Sequence, residues 1–161
     1  SIGIFDIGFD LSTLLILRNG RVVYTRDHPF GGNQLAEEIM RRYDMTAEQA
    51  GFFMRGEPGP ENFEEEVLEP FLLNVVHQIS RALQFYSSSA EFSNIRTIYL
   101  SGTMAPLKGL PDVVEPELGV KTSVADPVRG IDLAPSVAVQ ALNRNAPNLM
   151  VAMGLALRGF D

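Results

Sequence analysis

Apolar and polar positions change rhythm several times along this chain, and each change predicts an element. Ile2-Gly3-Ile4-Phe5 is an apolar run that closes on Asp6-Ile7-Gly8. Leu11 to Leu17 is a second run, and Asn19-Gly20 separates it from Arg21-Val22-Val23-Tyr24-Thr25. Asn-Gly between two apolar runs is a strong hairpin signal, because both turn positions favour positive φ. The opening therefore reads as three consecutive antiparallel strands. Gly31-Gly32 breaks this pattern, and Leu35, Ile39, Met40 and Tyr43 follow at helical spacing. Thr46-Ala47-Glu48-Gln49 is a capping box, which predicts a short helix from Ala47 to near Gly56. Glu57-Pro58-Gly59-Pro60 is loop.

Asn62, with Glu64 and Glu65 behind it, predicts the start of a long helix with acidic residues in its first turn. Val67, Phe71, Val75, Ile79 and Leu83 form its apolar stripe. Pro70 kinks it or marks a new start, Arg81 falls near its C-terminal end, and Ser87-Ser88-Ser89 closes it. A strand at Ile95 to Leu100 runs straight into Ser101-Gly102-Thr103. Then come a helix at Leu110 to Leu118, a strand at Val120 to Val124 and a loop from Asp126 to Pro135. Pro147 to Leu157 is apolar all round, which predicts a helix buried either in this chain or against a further domain.

Three strands, a helical block and a strand–helix–strand–helix tail spell an α/β layered domain with a helical insertion. The boundaries expected are 1–32 and 92–161 for the sheet subdomain and 33–91 for the mainly helical insert. The abrupt start within an apolar run predicts a piece of a longer protein, with a first domain upstream.

Composition narrows the function classes. The chain is 45% hydrophobic, enough for a packed core, and only 20% charged, which leaves room for a buried interface. Its net charge of −7 repels phosphate backbones, so no nucleic acid is expected as a partner. The absence of any dense Lys/Arg cluster argues against a membrane-surface patch. There is no cysteine, hence no disulfide framework and no cysteine zinc site. The two histidines, His28 and His77, lie far apart and make a poor metal site; His77 reads as a partly buried structural residue. Phe52-Phe53 reads as core, and Glu64-Glu65-Glu66 as a solvated helix start. Ser101 lacks the Gly-x-Ser-x-Gly setting of a nucleophile.

Two segments carry candidate chemistry. In Phe5-Asp6-Ile7-Gly8, an acid at the end of a buried strand can hold a magnesium ion or a water. The neighbouring glycine lets the backbone present N–H groups to a phosphate, and Ser12 or Thr13 can add a hydroxyl donor. The alternative is a plain hairpin turn with an Asp cap. In Leu100-Ser101-Gly102-Thr103, small residues at a strand end let a flat ring approach the backbone. The alternative there is an ordinary strand-to-helix turn.

The order of the motifs adds to this reading. Asp6-Ile7-Gly8 with Ser12-Thr13, then Gly31-Gly32-Asn33, then Leu100-Ser101-Gly102 with Gly109-Leu110, then Gly154-Leu155-Ala156-Leu157-Arg158, resemble the actin-like ATPase superfamily, of ribonuclease-H-like fold. Phe30-Gly31-Gly32, Pro70-Phe71 and Arg81-Ala82-Leu83-Gln84-Phe85 resemble its PilM family of type IV pilus assembly proteins. The resemblance runs from about Phe5 to Asp161 and covers the second half of such a protein. It implies ATP with magnesium as cofactor. Asp6 and Gly8 would belong to the second phosphate loop, with Asp6 on the metal side and Ser12 and Thr13 beside it. Gly102 and Thr103 would form the adenosine loop, and Gly154 would lie on the helix that crosses back to the first domain.

The sequence departs from that pattern on the base side. Thr103 stands where a second glycine is usual, and its branched side chain crowds an adenine. Gly51 and Met54 stand where a Glu and a Lys are expected, leaving Arg55 as the substitute cation. Each lost charge-assisted hydrogen bond costs roughly 1.5–3 kcal/mol, and two such losses with a clash move micromolar binding towards millimolar. The expectation is a cytoplasmic scaffold of the pilus assembly platform, peripheral to the bacterial inner membrane through its partners. Those partners would be the PilN-like cytoplasmic tail of an inner-membrane protein, held on the other half, and further platform proteins. Self-association through the apolar final helix is also expected. The alternatives are an ATPase whose cycle gates pilus assembly, and a related actin-like protein of division or type II secretion.

Overall fold

The computed structural model describes residues 1–89 and 95–158. Strands β1 (Ile2–Ile7), β2 (Ser12–Arg18) and β3 (Arg21–His28) form the expected antiparallel meander. Asn19 and Gly20 both take positive φ, 52° and 75°, as the hairpin signal requires. Strands β4 (Thr97–Ser101) and β5 (Lys121–Val124) then join in parallel, giving a five-stranded mixed sheet of order β3-β2-β1-β4-β5. Strand β3 runs three residues past its expected end, to His28.

Among the described residues, three α-helices lie between β3 and β4: α1 (Gly32–Tyr43), α2 (Ala47–Met54) and α3 (Glu69–Ser89). The capping box of α2 forms as read, with Thr46 Oγ1 accepting from the Gln49 N–H and Gln49 Oε1 accepting from the Thr46 N–H. The long helix differs from its expected form. Asn62 is left-handed at φ 61°, no side chain caps the start, and the first turn, Glu64–Leu68, is a π turn. Pro70 is the reason: it has no N–H to donate to the Glu66 carbonyl, so the α pattern restarts around it, in α3. Arg81 sits mid-helix rather than near the C-terminal end, and His77 is exposed rather than partly buried.

Helix α4 (Leu110–Leu118) connects β4 to β5, and α5 (Val139–Asn145), a 3₁₀ turn (Ala146–Leu149) and α6 (Met150–Leu157) follow. One buried cluster joins the sheet, through Phe5, Ile7, Leu14, Ile16, Ile98 and Leu100, to Leu35, Ile39, Val75, Ile79, Leu110 and Val114 of the helices. Phe30, in the link from β3 to α1, stacks on Phe71 of α3 with ring centroids 5.5 Å apart. Glu64, Glu65 and Glu66 are exposed, and two of them pair with cations, Glu64 with Lys108 and Glu66 with Arg42. Helix α6 is not buried within this chain: Val151 is 71% exposed and Leu155 59%. The expected sheet–helix boundary at 91/92 lies outside the described residues.

Candidate functional site

Parallel pairing places the two candidate segments side by side. Asp6 is in register with Ser101 at the carboxyl ends of β1 and β4, where ligands of open α/β sheets usually bind. Ser101 is buried and donates its hydroxyl hydrogen to Asp6 Oδ2 at 2.7 Å. That bond orients a partly buried carboxylate and leaves its other oxygen available. Sequence reading assigned Ser101 no role, since a link across 95 residues becomes visible only with the strand register.

The turns after the two strands are tied together through the Ile7 carbonyl. It accepts the Met104 N–H at 3.0 Å and the Thr103 hydroxyl at 3.5 Å. Gly102 has φ +89°, and a Cβ there would lie 2.5 Å from the same carbonyl oxygen. Its N–H donates to the Pro147 carbonyl. The β1–β2 turn is equally tight: the Gly8 N–H donates to the Leu11 carbonyl at 3.0 Å, and a Cβ on Gly8 would lie 2.6 Å from that oxygen. The start of α1 packs under this turn. The Gly32 and Asn33 N–H groups donate to the Gly8 and Phe9 carbonyls at 3.0 and 2.7 Å, so two of the helix's free donors are already satisfied.

The two hydroxyls of β2 are also engaged. Ser12, fully buried, donates to the Phe30 carbonyl at 2.7 Å, and Thr13 donates to Asp27 Oδ1 at 2.8 Å. Arg55, just past α2, is exposed; its guanidinium lies 5.0 Å from the centre of the Phe52 ring. Phe52 is itself 44% exposed, so only Phe53 of that pair packs against the core.

A feature that sequence reasoning missed lies between α1, α2 and the turn after β4. The side chains of Met54 and Met104 converge on Gly32: a Cβ there would meet Met104 Sδ directly and would lie 3.1 Å from Met54 Cε. Met104 is buried. Apolar thioethers therefore fill the space beside Gly32.

The residues at the ends of β1 and β4 fit the magnesium–phosphate part of a nucleotide. Asp6, partly buried and held by Ser101, is the kind of single carboxylate that magnesium takes alongside substrate phosphates and water. Among the described residues, no group of three His, Cys, Asp or Glu side chains forms a metal cluster. Beside Gly32 and Gly102 the structure places two thioethers and the exposed Thr103. No helix among the described residues is long and apolar enough to cross a membrane.

Comparison with known proteins agrees with this geometry. A solved PilM-PilN type IV pilus biogenesis complex superposes with a TM-score of 0.84 at 25% sequence identity, over 99% of this chain and 46% of the other. The ethanolamine utilization protein EutJ from Carboxydothermus hydrogenoformans gives 0.67 at 18% identity, over 97% of this chain and 48% of that one. MreB5 of Spiroplasma citri bound to ADP gives 0.66 at 14% identity, over 97% and 52%. The last two show the fold alone, which is actin-like. The chain spans about half the length of these proteins. A family model for the type IV pilus assembly protein PilM matches residues 1–160. The chain belongs to the PilM family of type IV pilus assembly proteins.

Proposed function

We propose that this chain is half of a pilus-platform scaffold whose ATP site is weakened on the base side. The observation that carries this reading is the meeting of Met54 and Met104 over Gly32, beside the Gly102-Thr103 turn. An adenine seated there needs close backbone approach and polar partners for its ring nitrogens, and thioethers supply neither well.

In this reading Asp6 would hold magnesium or its water, and the turn at Gly8 would face the phosphates. Gly102 and Thr103 would face the base, with Arg55 the available cation. Ser12 and Thr13 support the turn rather than the ligand, since both hydroxyl hydrogens point to partners within the chain. Bound ATP with magnesium would supply charge that pulls two domains together. Residues 1–32 and 92–161 would form the sheet subdomain and 33–91 the helical insert. The exposed apolar face of α6 would pack against the other half of the protein, or self-associate when bare.

The partner follows from the family. The solved relative is a complex of PilM with PilN, so a PilN-like cytoplasmic tail is the partner proposed, on the half this chain does not include. Such a tail, with other platform proteins, would hold the molecule on the cytoplasmic side of the bacterial inner membrane. A second reading, an ATPase whose cycle gates assembly, draws support from the Ser101–Asp6 pair beside Gly8.

Binding of the intact protein to the PilN-like tail peptide separates the two. A scaffold binds the tail within about twofold of the same affinity with ATP, with ADP or after nucleotide removal. A change of about tenfold or more with ATP would favour the gated ATPase.

A further inference from the structure

Strand β3 and helix α3 enclose a pocket of about 330 Å³ that shares no residue with the turns after β1 and β4. Arg26, Asp27 and His28 line it from the strand, and Gln78, Arg81 and Phe85 from the helix. In a chain of net charge −7 this is an unusual place to find two guanidinium groups together. Neither has a carboxylate partner among the described residues. Arg26 lies instead over the Phe85 ring, 3.8 Å from its centre.

The pocket's charge is small. His28 is buried, and its Nε2 has no hydrogen-bond partner. Burial, and then Arg26 and Arg81, hold its pKa below the ordinary histidine value against the opposing pull of Asp27, so the ring is neutral at pH 7. Asp27 accepts the Thr13 hydroxyl and offsets one guanidinium. The remaining single positive charge matches one carboxylate. A phosphate dianion would leave the pocket negative inside an acidic protein.

The surroundings favour a carboxylate carried on an extended chain. Strand β3 is the outermost strand of the sheet, with one main-chain edge unpaired among the described residues, and Val22 and Val23 are 55% and 47% exposed on it. An extended segment laid along such an edge gains main-chain hydrogen bonds, while side-chain pockets set its specificity. We propose that the edge of β3 and this pocket form a docking site for an extended protein segment whose Asp or Glu side chain enters between Arg26 and Arg81. This site is independent of the nucleotide reading.

Nuclear magnetic resonance titration of the isotopically labelled intact protein tests it. The probes are a capped Val-Thr-Glu-Val-Thr peptide, its Gln analogue and inorganic phosphate. The Glu peptide is expected to shift the β3 amides and the Arg26 and Arg81 side-chain N–H signals. The response should weaken about tenfold or more for the Gln peptide and in the Arg81→Gln and Arg26→Gln proteins. It should persist in Arg81→Lys, which keeps the charge and controls for folding, and in the remote Arg144→Gln. No response to the Glu peptide would overturn the proposal, as would equal responses to both peptides. A response to phosphate that exceeds the peptide's would overturn the assignment to a carboxylate.

Discussion

Gly102→Ala is expected to destabilise the protein by roughly 2–5 kcal/mol, combining a strained positive φ with overpacking. The added methyl would lie 2.5 Å from the Ile7 carbonyl oxygen and 2.9 Å from the Ile7 nitrogen, at φ +89°. Both are backbone atoms of the central strand β1, so no side chain can swing away to make room. Relief requires separating β1 from the turn after β4, which also breaks the Met104 N–H bond to Ile7 and disturbs the Ser101 bond to Asp6. Urea unfolding should show a lower midpoint with an unchanged slope. A loss under about 1 kcal/mol would mean that this turn relaxes freely and does not fix the site.

Phe30→Ala should cost roughly 3–5 kcal/mol, the usual range for deleting a buried aromatic ring. Phe30 is 4% exposed and stacks on Phe71 at 5.5 Å, so it fastens α3 to the end of the sheet. Its backbone carbonyl also accepts the Ser12 hydroxyl. Phe52→Ala is the matched control: that ring is 44% exposed and its cation–π partner is the Arg55 guanidinium. The control should lose no more than about 1 kcal/mol. Equal losses from the two variants would contradict the assignment of Phe30 to the joint between sheet and helices.

Local signals were legible wherever one short segment decides the geometry. Asn19-Gly20 specified its hairpin and Thr46 with Gln49 its helix start, because each acts within four residues. The apolar stripe at Val67, Phe71, Val75 and Ile79 marked the buried face of the long helix. Pro70 signalled a restart, but not that the turn before it would widen to a π turn. Helix α5 gave no signal: it has no side-chain cap and buries none of its residues. The apolar composition of α6 suggested burial, yet periodicity cannot say whether the covering surface belongs to the same chain.

The candidate site was legible as a pair of turns, and less so as chemistry. Asp6 and Gly102 stood out because a strand-end acid and a glycine in a small-residue run are local features. The Ser101–Asp6 bond and the Met54–Met104 contact over Gly32 depend on which segments the sheet brings together. So does the basic pocket, since Arg26 and Arg81 lie on different elements.

Calorimetric titration of the intact protein with magnesium-ATP, beside a Met54→Lys/Thr103→Gly variant, tests the weakened base side most directly. The expected result is native binding weaker than about 100 µM and a gain of roughly tenfold or more in the variant, the equivalent of one restored charge-assisted hydrogen bond. Micromolar binding by the native protein, with no gain in the variant, would contradict it.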